Sequence, residues 1–229
     1  MLIGGLQKTT VIDYPGKVSC VLFCAGCNFR CPYCHNPDLI SVAGDPFMSL
    51  DQFFDFLSLR RGFLDGVVVT GGEPTLDDGI LSLCRRIKEK GMAVKLDTNG
   101  SRPAMLDKLL DAGVIDYIAM DIKTRPANYT LLAGKNFDCD RIRSSIKIIK
   151  HSGLPYEFRT TCARPFVDEA IMEKISDLAA GAPLYVLQRC RTKRMLAPEF
   201  FAGREPFADW ELDRFREIAA GKVGRCYIR

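Results

Sequence analysis

No stretch of this chain approaches the roughly 18 consecutive apolar residues that a membrane-spanning helix requires. Its opening, Met-Leu-Ile-Gly-Gly-Leu-Gln-Lys-Thr, has no basic segment followed by a long apolar run, so no secretory leader is expected. No internal repeat, linker or low-complexity tract divides the 229 residues, a length that suits one sizeable core better than two. A single domain is expected over residues 1–229, with its core at about 16–190 and a C-terminal extension at 191–229. Strong charge is also missing, and a net charge of +4 does not call for nucleic acid as a partner. With 47% hydrophobic and 26% charged residues, the chain reads as an ordinary globular protein of the cytoplasm, with no membrane partner.

Cysteine, by contrast, is plentiful at ten residues. In a secreted chain that number would suggest disulfides. Without a leader, a reducing compartment and a metal site explain the clustered ones better. Cys27, Cys31 and Cys34 lie in Cys-Asn-Phe-Arg-Cys-Pro-Tyr-Cys-His-Asn, three soft ligands within eight residues, followed by His35. A 4Fe-4S cluster usually takes four cysteines, so a triplet leaves one iron open to a small molecule. Zinc is the competing occupant, but structural zinc sites normally close four ligands in two separated pairs. Cys24 sets a further two-residue spacing to Cys27, yet it ends the apolar run Val18 to Phe23, and Gly26 separates it from the loop. It reads as a packing thiol, the commoner state of a free cysteine. Cys20, Cys84, Cys139, Cys162, Cys190 and Cys226 form no second close triplet, so no auxiliary cluster is expected.

Strand-like runs alternate with helical segments, the pattern of parallel strands joined by crossover helices. The strands are expected at Val18–Phe23, Gly66–Thr70, Ala93–Asp97, Tyr117–Met120, Glu157–Thr161 and Leu184–Leu187. Helices are expected from Ser49 to Leu59, opened by a Ser49/Gln52 capping box, and at Ile80–Lys90, Pro103–Ala112, Asp140–Ser152 and Glu169–Ala180. Glycine follows these last four within one residue, a familiar helix stop, and Trp210–Ala220 makes a final helix. Six strand–helix units fit an α/β fold with an open, partial (β/α)6 barrel. In barrels of this kind reactive groups gather at the C-terminal strand ends.

Three motifs sit at those ends. Gly71-Gly72-Glu73-Pro74 follows the second expected strand; its glycines permit close backbone approach or positive φ, and Pro74 stiffens the exit. Glu73 adds an anionic acceptor suited to an ammonium group. Asp97-Thr98-Asn99-Gly100 follows the third strand and Asp121-Ile122-Lys123 the fourth. Taken alone, the former is most often a turn, since Asn-Gly favours positive φ, and the latter a solvated strand end.

The cysteine spacing and Gly71–Pro74 together resemble the radical S-adenosylmethionine (SAM) superfamily. The resemblance implies a single 4Fe-4S cluster on Cys27, Cys31 and Cys34. Its open iron is chelated by the methionine part of SAM, whose ammonium is clamped by the Gly71-Gly72-Glu73-Pro74 segment. Tyr33 matches an aromatic position packed near adenine, with cluster shielding as its plainer role. The strand-end motifs are similar to those of glycyl-radical enzyme activases such as pyruvate formate-lyase activating enzyme. That likeness implies a SAM site containing Asp97, Thr98, Asn99 and Asp121, a monovalent cation on Asp97, Thr98 and Asp121, and a catalytic Lys123 beside the cofactor. Arg159 matches a cofactor-adjacent arginine, its plainer role being a surface salt bridge.

The opening Gly4–Thr10 and Asp13-Tyr14-Pro15-Gly16-Lys17, leading into the cysteine loop, resembles the longer form of anaerobic ribonucleoside-triphosphate reductase activating proteins over the first ~125 residues. Beyond that it thins: pyruvate formate-lyase activases place a histidine after the last barrel strand, where this chain has Leu187-Gln188-Arg189-Cys190 and only His35 and His151 in all. The implied reaction starts with an electron from an external low-potential donor such as flavodoxin or ferredoxin. Cleavage of SAM gives a 5′-deoxyadenosyl radical, which takes hydrogen from a glycine of a partner enzyme, expected to be anaerobic ribonucleotide reductase. Arg189, Arg191, Lys193 and Arg194 form a basic segment that could meet an acidic partner or simply be a solvated loop. Phe200 and Phe201 nearby could be core residues of a C-terminal lid. The alternatives are activation of another glycyl-radical enzyme, a radical SAM enzyme acting on a small molecule or nucleobase, and a non-catalytic zinc module.

Overall fold

A computed structural model of the protein describes residues 1–41, 46–191 and 194–229. Among them, strands β1 (Ile3–Thr10), β2 (Ser19–Cys24), β3 (Gly66–Gly71), β4 (Ala93–Thr98), β5 (Tyr117–Asp121), β6 (Tyr156–Cys162), β7 (Tyr185–Arg189) and β8 (Cys226–Ile228) follow chain order in one open, mostly parallel sheet. The helices are α1 (Leu50–Leu59), α2 (Ile80–Glu89), α3 (Pro103–Asp111), α4 (Thr130–Ala133), α5 (Asp140–His151), α6 (Glu169–Ala179) and α7 (Asp209–Ala220). No helix among the described residues is long and apolar enough to cross a membrane.

The chain divides into two compact units. The first comprises Met1–Asn28, Asp38–Thr98 and Ala104–Ile118. In it β2, β3 and β4 run parallel, pairing Ser19 with Gly66 and Gly66 with Ala93, so that Cys24 and Gly71 share a level at the C-terminal ends. The apolar runs of β2 and β3 are almost wholly buried, as strands covered on both faces must be. Helix α1 starts where its capping box predicts, with Gln52 N–H donating to Ser49 Oγ and Ser49 N–H to Gln52 Oε1. Helix α2 buries Ile80, Leu83, Cys84 and Ile87, one face at helical spacing. Burial alone pushes the Cys84 thiol up to about 12. A raised folded-state value means stability is complete below the unfolded thiol's range and falls as pH rises toward 12. Between pH 8 and 10 this thiol should cost the metal-free protein about 2 kcal/mol. Urea unfolding at the two pH values should show a smaller loss for Cys84→Ala than for wild type.

The second unit comprises Phe29–Pro37, Asn99–Pro103 and Ala119–Arg229. Here β6, β7 and β8 are parallel, pairing Phe158 with Tyr185 and Tyr185 with Cys226. Helix α6 begins at Glu169 because Asp168 Oδ1 accepts the Ile171 N–H at 2.7 Å.

All six expected strands and six expected helices are present within a residue or two. Strands β1 and β8 and the single turn α4 were not expected. Two early glycines and the polar Gln7-Lys8-Thr9-Thr10 mask β1, an antiparallel edge on β2 with two register shifts, and β8 has only three residues.

Candidate active site

In the first unit, Gly71 adopts φ +118°, and its ideal Cβ would lie 2.4 Å from the Cys24 backbone. Gly72 is closer still, since a Cβ there would meet the Gly26 carbonyl oxygen at 2.0 Å. Two hydrogen bonds hold this approach, from Gly72 N–H to Cys24 O and from Glu73 N–H to Gly26 O, each 2.8 Å. The segment entering the cysteine loop is therefore tied to the Gly-Gly-Glu-Pro segment, as the sequence reading of the glycines anticipates. The loop entry is held again by Gly26 N–H to Leu39 O and Cys27 N–H to Ile40 O. Pro74 opens a 3-10 turn, Pro74–Leu76. Glu73 is 2% exposed, and its Oε1 accepts from Thr98 Oγ1 at 2.8 Å, Thr75 Oγ1 at 2.5 Å and Thr75 N–H at 3.1 Å. Three donors on one oxygen fix the carboxylate's orientation.

Asp97 pairs with Lys95 at 2.5 Å, and the lysine, 1% exposed, lies within a strand. Alternation alone would hide this pair, because a lysine inside β4 reads as a solvent-facing residue. Lys95→Met should destabilise the protein by about 3 kcal/mol, the cost of removing one partner of a largely buried ion pair. Thermal unfolding should show Lys95→Met/Asp97→Leu closer to wild type than the single variant.

Cys24, in the same unit, is buried with its Sγ 3.7 Å from Met1 Sδ. Burial, reinforced by Cys84, Glu73 and Asp77, pushes its thiol far above the usual range. This burial and these neighbours favour the neutral thiol in the metal-free protein.

In the second unit, Cys31 is buried and Cys34 half-buried, with Cys34 N–H donating to Cys31 O at 2.9 Å across a tight turn. Between them, Tyr33 is 4% exposed and meets Phe166 edge-on at 5.3 Å; Phe166 in turn stacks with Phe200 at 5.8 Å. Its hydroxyl is buried without a hydrogen-bond partner among the described residues. Ala197 N–H donates to Pro32 O, and His35 Nε2 lies 2.9 Å from Arg191 O, so the segment after β7 packs on the cysteine loop. Of the basic segment there, Thr192 and Lys193 lie outside the described residues.

Asp121 closes β5. Its Oδ2 accepts from Lys123 Nζ and its Oδ1 from Arg159 Nε, both at 3.0 Å. Burial would raise the carboxyl, but these two cations outweigh it and hold Asp121 at about 2. Burial likewise opposes the Lys123 charge, and Asp121, Cys31 and Tyr33 overcome it, raising Lys123 well above the ordinary lysine range. Arg159 is 7% exposed and also faces Glu157 at 3.8 Å, so it is not the surface salt bridge of its plainer reading. Asn99 Oδ1 accepts the Ser101 N–H at 2.9 Å, and Gly100 has φ +75°, so this segment does form the turn its sequence suggests. Gln188 lies on β7 opposite Thr161.

The candidate residues thus form two sets. Glu73 and Thr98 meet in the first unit, which also carries Cys27, Gly71, Gly72 and Asp97. Asp121, Lys123 and Arg159 meet in the second, which also carries Cys31, Tyr33, Cys34 and Asn99. The donor types suit the implied groups: cysteine thiols for a cluster and an oriented carboxylate for an ammonium, with the orphaned hydroxyl of Tyr33 between Cys31 and Cys34 in sequence.

The model of the Radical SAM superfamily matches residues 21–179. The chain belongs to the radical SAM superfamily, and membership implies an iron–sulfur cluster and SAM. A Methanocaldococcus jannaschii protein bearing the provisional name glycyl-radical enzyme activating enzyme is 35% identical over 99% of this chain and 93% of its own length. Pyruvate formate-lyase-activating enzyme of Streptococcus mutans is 34% identical over 58% of this chain and 55% of its own. Among solved structures, Streptococcus suis SuiB bound to S-adenosylmethionine has the same fold, with a TM-score of 0.66 at 13% identity over 91% of this chain and 51% of that one. Within the superfamily, the chain is an enzyme of the glycyl-radical enzyme activase family, which favours catalysis over the zinc-module reading and implies a glycyl-radical enzyme as partner.

Proposed function

We propose that this protein holds one 4Fe-4S cluster on Cys27, Cys31 and Cys34, binds SAM, and installs a glycyl radical on anaerobic ribonucleotide reductase. The observation carrying the activase part is 35% identity along essentially the whole chain to a protein named as such an activase. The choice of reductase rests on the likeness of Gly4–Lys17 and the cysteine loop to that activase group. A pyruvate formate-lyase type of partner is the second reading, favoured by the 34% identity to the S. mutans enzyme.

When bound on Cys27, Cys31 and Cys34, a reduced cluster would supply the one electron for cleaving the SAM sulfonium, with methionine as the leaving group and 5′-deoxyadenosyl as the hydrogen acceptor for a glycine Cα. The chain's own residues bind and orient. Glu73, fixed by Thr75 and Thr98, offers its carboxylate to the methionine ammonium. Lys123 and Arg159 keep Asp121 ionised for cofactor binding. Tyr33, packed against Phe166, shields the cluster and adenine from water. Gly71, Gly72 and Pro74 shape the backbone around Glu73, and Asn99 holds the turn that follows Asp97 and Thr98. A monovalent cation on Asp97, Thr98 and Asp121 belongs to the same proposal, supported by the hard oxygen atoms of those side chains. Electrons come from an external donor such as flavodoxin or ferredoxin.

The test is anaerobic. The reconstituted, reduced protein is mixed with SAM and either anaerobic ribonucleotide reductase or pyruvate formate-lyase from the same organism, and paramagnetic resonance is recorded. A glycyl-radical doublet on the reductase alone supports the proposal. A doublet on the lyase alone transfers it to the second reading. Formation of 5′-deoxyadenosine with neither radical overturns both partners.

A further inference from the structure

Tyr129, which the sequence reading passed over, touches both halves of the second unit's chemistry. Its ring lies 5.9 Å from Phe29 and stacks on Phe137 at 6.0 Å, while Phe29 meets Phe137 edge-on at 5.2 Å. Phe29 stands two residues before Cys31, and between them Arg30 N–H donates to Leu132 O at 2.7 Å. The aromatic trio and this hydrogen bond fasten the cysteine loop to residues 126–137. On its other side, the Tyr129 hydroxyl accepts the backbone N–H of Lys123 at 3.0 Å. Strand β5 ends at Asp121, and Ile122 N–H still reaches Arg159 O at 2.8 Å. Lys123 is the first residue past Ile122, and its main-chain donor is satisfied by a side chain rather than by the sheet.

Packing alone would not need the hydroxyl. Phenylalanine would fill the same space between Phe29 and Phe137, and a buried main-chain N–H left without an acceptor is costly. We propose that Tyr129 is a positioning residue that locks the Lys123 backbone to the cysteine loop, so that the cofactor-binding strand end and the cluster-holding loop of this unit hold one fixed geometry. The inference rests on the reading of Lys123 and Asp121 as SAM-binding and of the loop as cluster-holding. Nothing in the cysteine or strand-end motifs encodes it, because Tyr129 lies outside all of them.

Tyr129→Phe keeps the ring and removes only the acceptor; Tyr129→Leu removes the ring pairing as well. Three quantities are measured on the full chain: amide hydrogen exchange at Lys123 in the metal-free protein, iron bound per chain after reconstitution, and the SAM Kd from titration of the reduced cluster's paramagnetic signal. For Tyr129→Phe we expect exchange at Lys123 to accelerate about tenfold, iron content to match wild type, and the Kd for SAM to rise about tenfold, at the low end for loss of an outer-shell partner. Tyr129→Leu should in addition retain less iron. Faster exchange with an unchanged Kd overturns the positioning role, and unchanged exchange overturns the hydrogen bond itself. Failure of the underlying reading looks different: wild type itself would bind no cluster, or its signal would not respond to SAM, whatever the exchange at Lys123.

Discussion

Replacing Cys31 with alanine should abolish formation of 5′-deoxyadenosine, while replacing Cys24 should leave most of it. Both cysteines are buried, and they lie seven positions apart in sequence, so proximity does not separate them; their environments do. Cys31 opens the tight turn to Cys34 and lies near the Lys123 ammonium. Cys24 closes β2 with its sulfur against Met1 Sδ, and burial together with Cys84, Glu73 and Asp77 disfavours its thiolate. Loss of an outer-shell partner typically costs a metal site roughly 10–100-fold. Removing one of the three proposed ligands should exceed that and take turnover below detection. Cys24→Ala should cost about 1 kcal/mol of stability through the small cavity it leaves, and at most a few-fold in turnover. Iron content and 5′-deoxyadenosine per chain are the measurements. Equal losses in both variants would mean that the ligand set includes Cys24.

Features set by short stretches were legible in the sequence, and features set by pairing across the fold were not. The capping box at Ser49, the glycine stops and the cysteine spacing depend on residues within one or two turns of each other. So does Gly71–Pro74, where the need for glycine was readable although the partner backbone at Cys24 and Gly26 was not. Strand β1 escaped notice because an edge strand buries little, so its sequence need not alternate. The Lys95–Asp97 pair escaped for the opposite reason: a charge inside a strand is normally outward, and only the burial of Lys95 in the fold reveals the pairing. Arg159 was recognisable as a candidate, but its partners Asp121 and Glu157 came only with the structure. Tyr129 has no local signal at all, since its role is defined by Phe29, Phe137 and the Lys123 backbone together.

Gly72→Ala should damage both folding and catalysis. Its Cβ would sit 2.0 Å from the Gly26 carbonyl oxygen, 2.6 Å from the carbonyl carbon and 3.1 Å from Leu39 O. Every one of these neighbours is backbone, so no side chain can swing aside. Relief requires the two segments to separate by more than an ångström, which breaks the hydrogen bonds Gly72 N–H to Cys24 O and Glu73 N–H to Gly26 O. Overpacking of this kind costs typically 1–3 kcal/mol, and two weakened main-chain bonds bring the expected loss to about 3 kcal/mol. The same separation moves Glu73 relative to the loop that leads into Cys27. A displacement of about 1 Å in a positioning group can cost on the order of 100-fold in rate, so turnover should fall by about that factor. Gly91→Ala is the control. Gly91 follows α2 with φ +79° and open space around its missing Cβ, so alanine there carries only the left-handed backbone penalty of about 1 kcal/mol and should leave turnover intact. Chemical unfolding of both variants, beside 5′-deoxyadenosine formation at saturating SAM, separates the two effects. A Gly72→Ala protein no less stable than Gly91→Ala, and fully active, would mean that the approach of Gly72 to Gly26 is not what holds Glu73 in place.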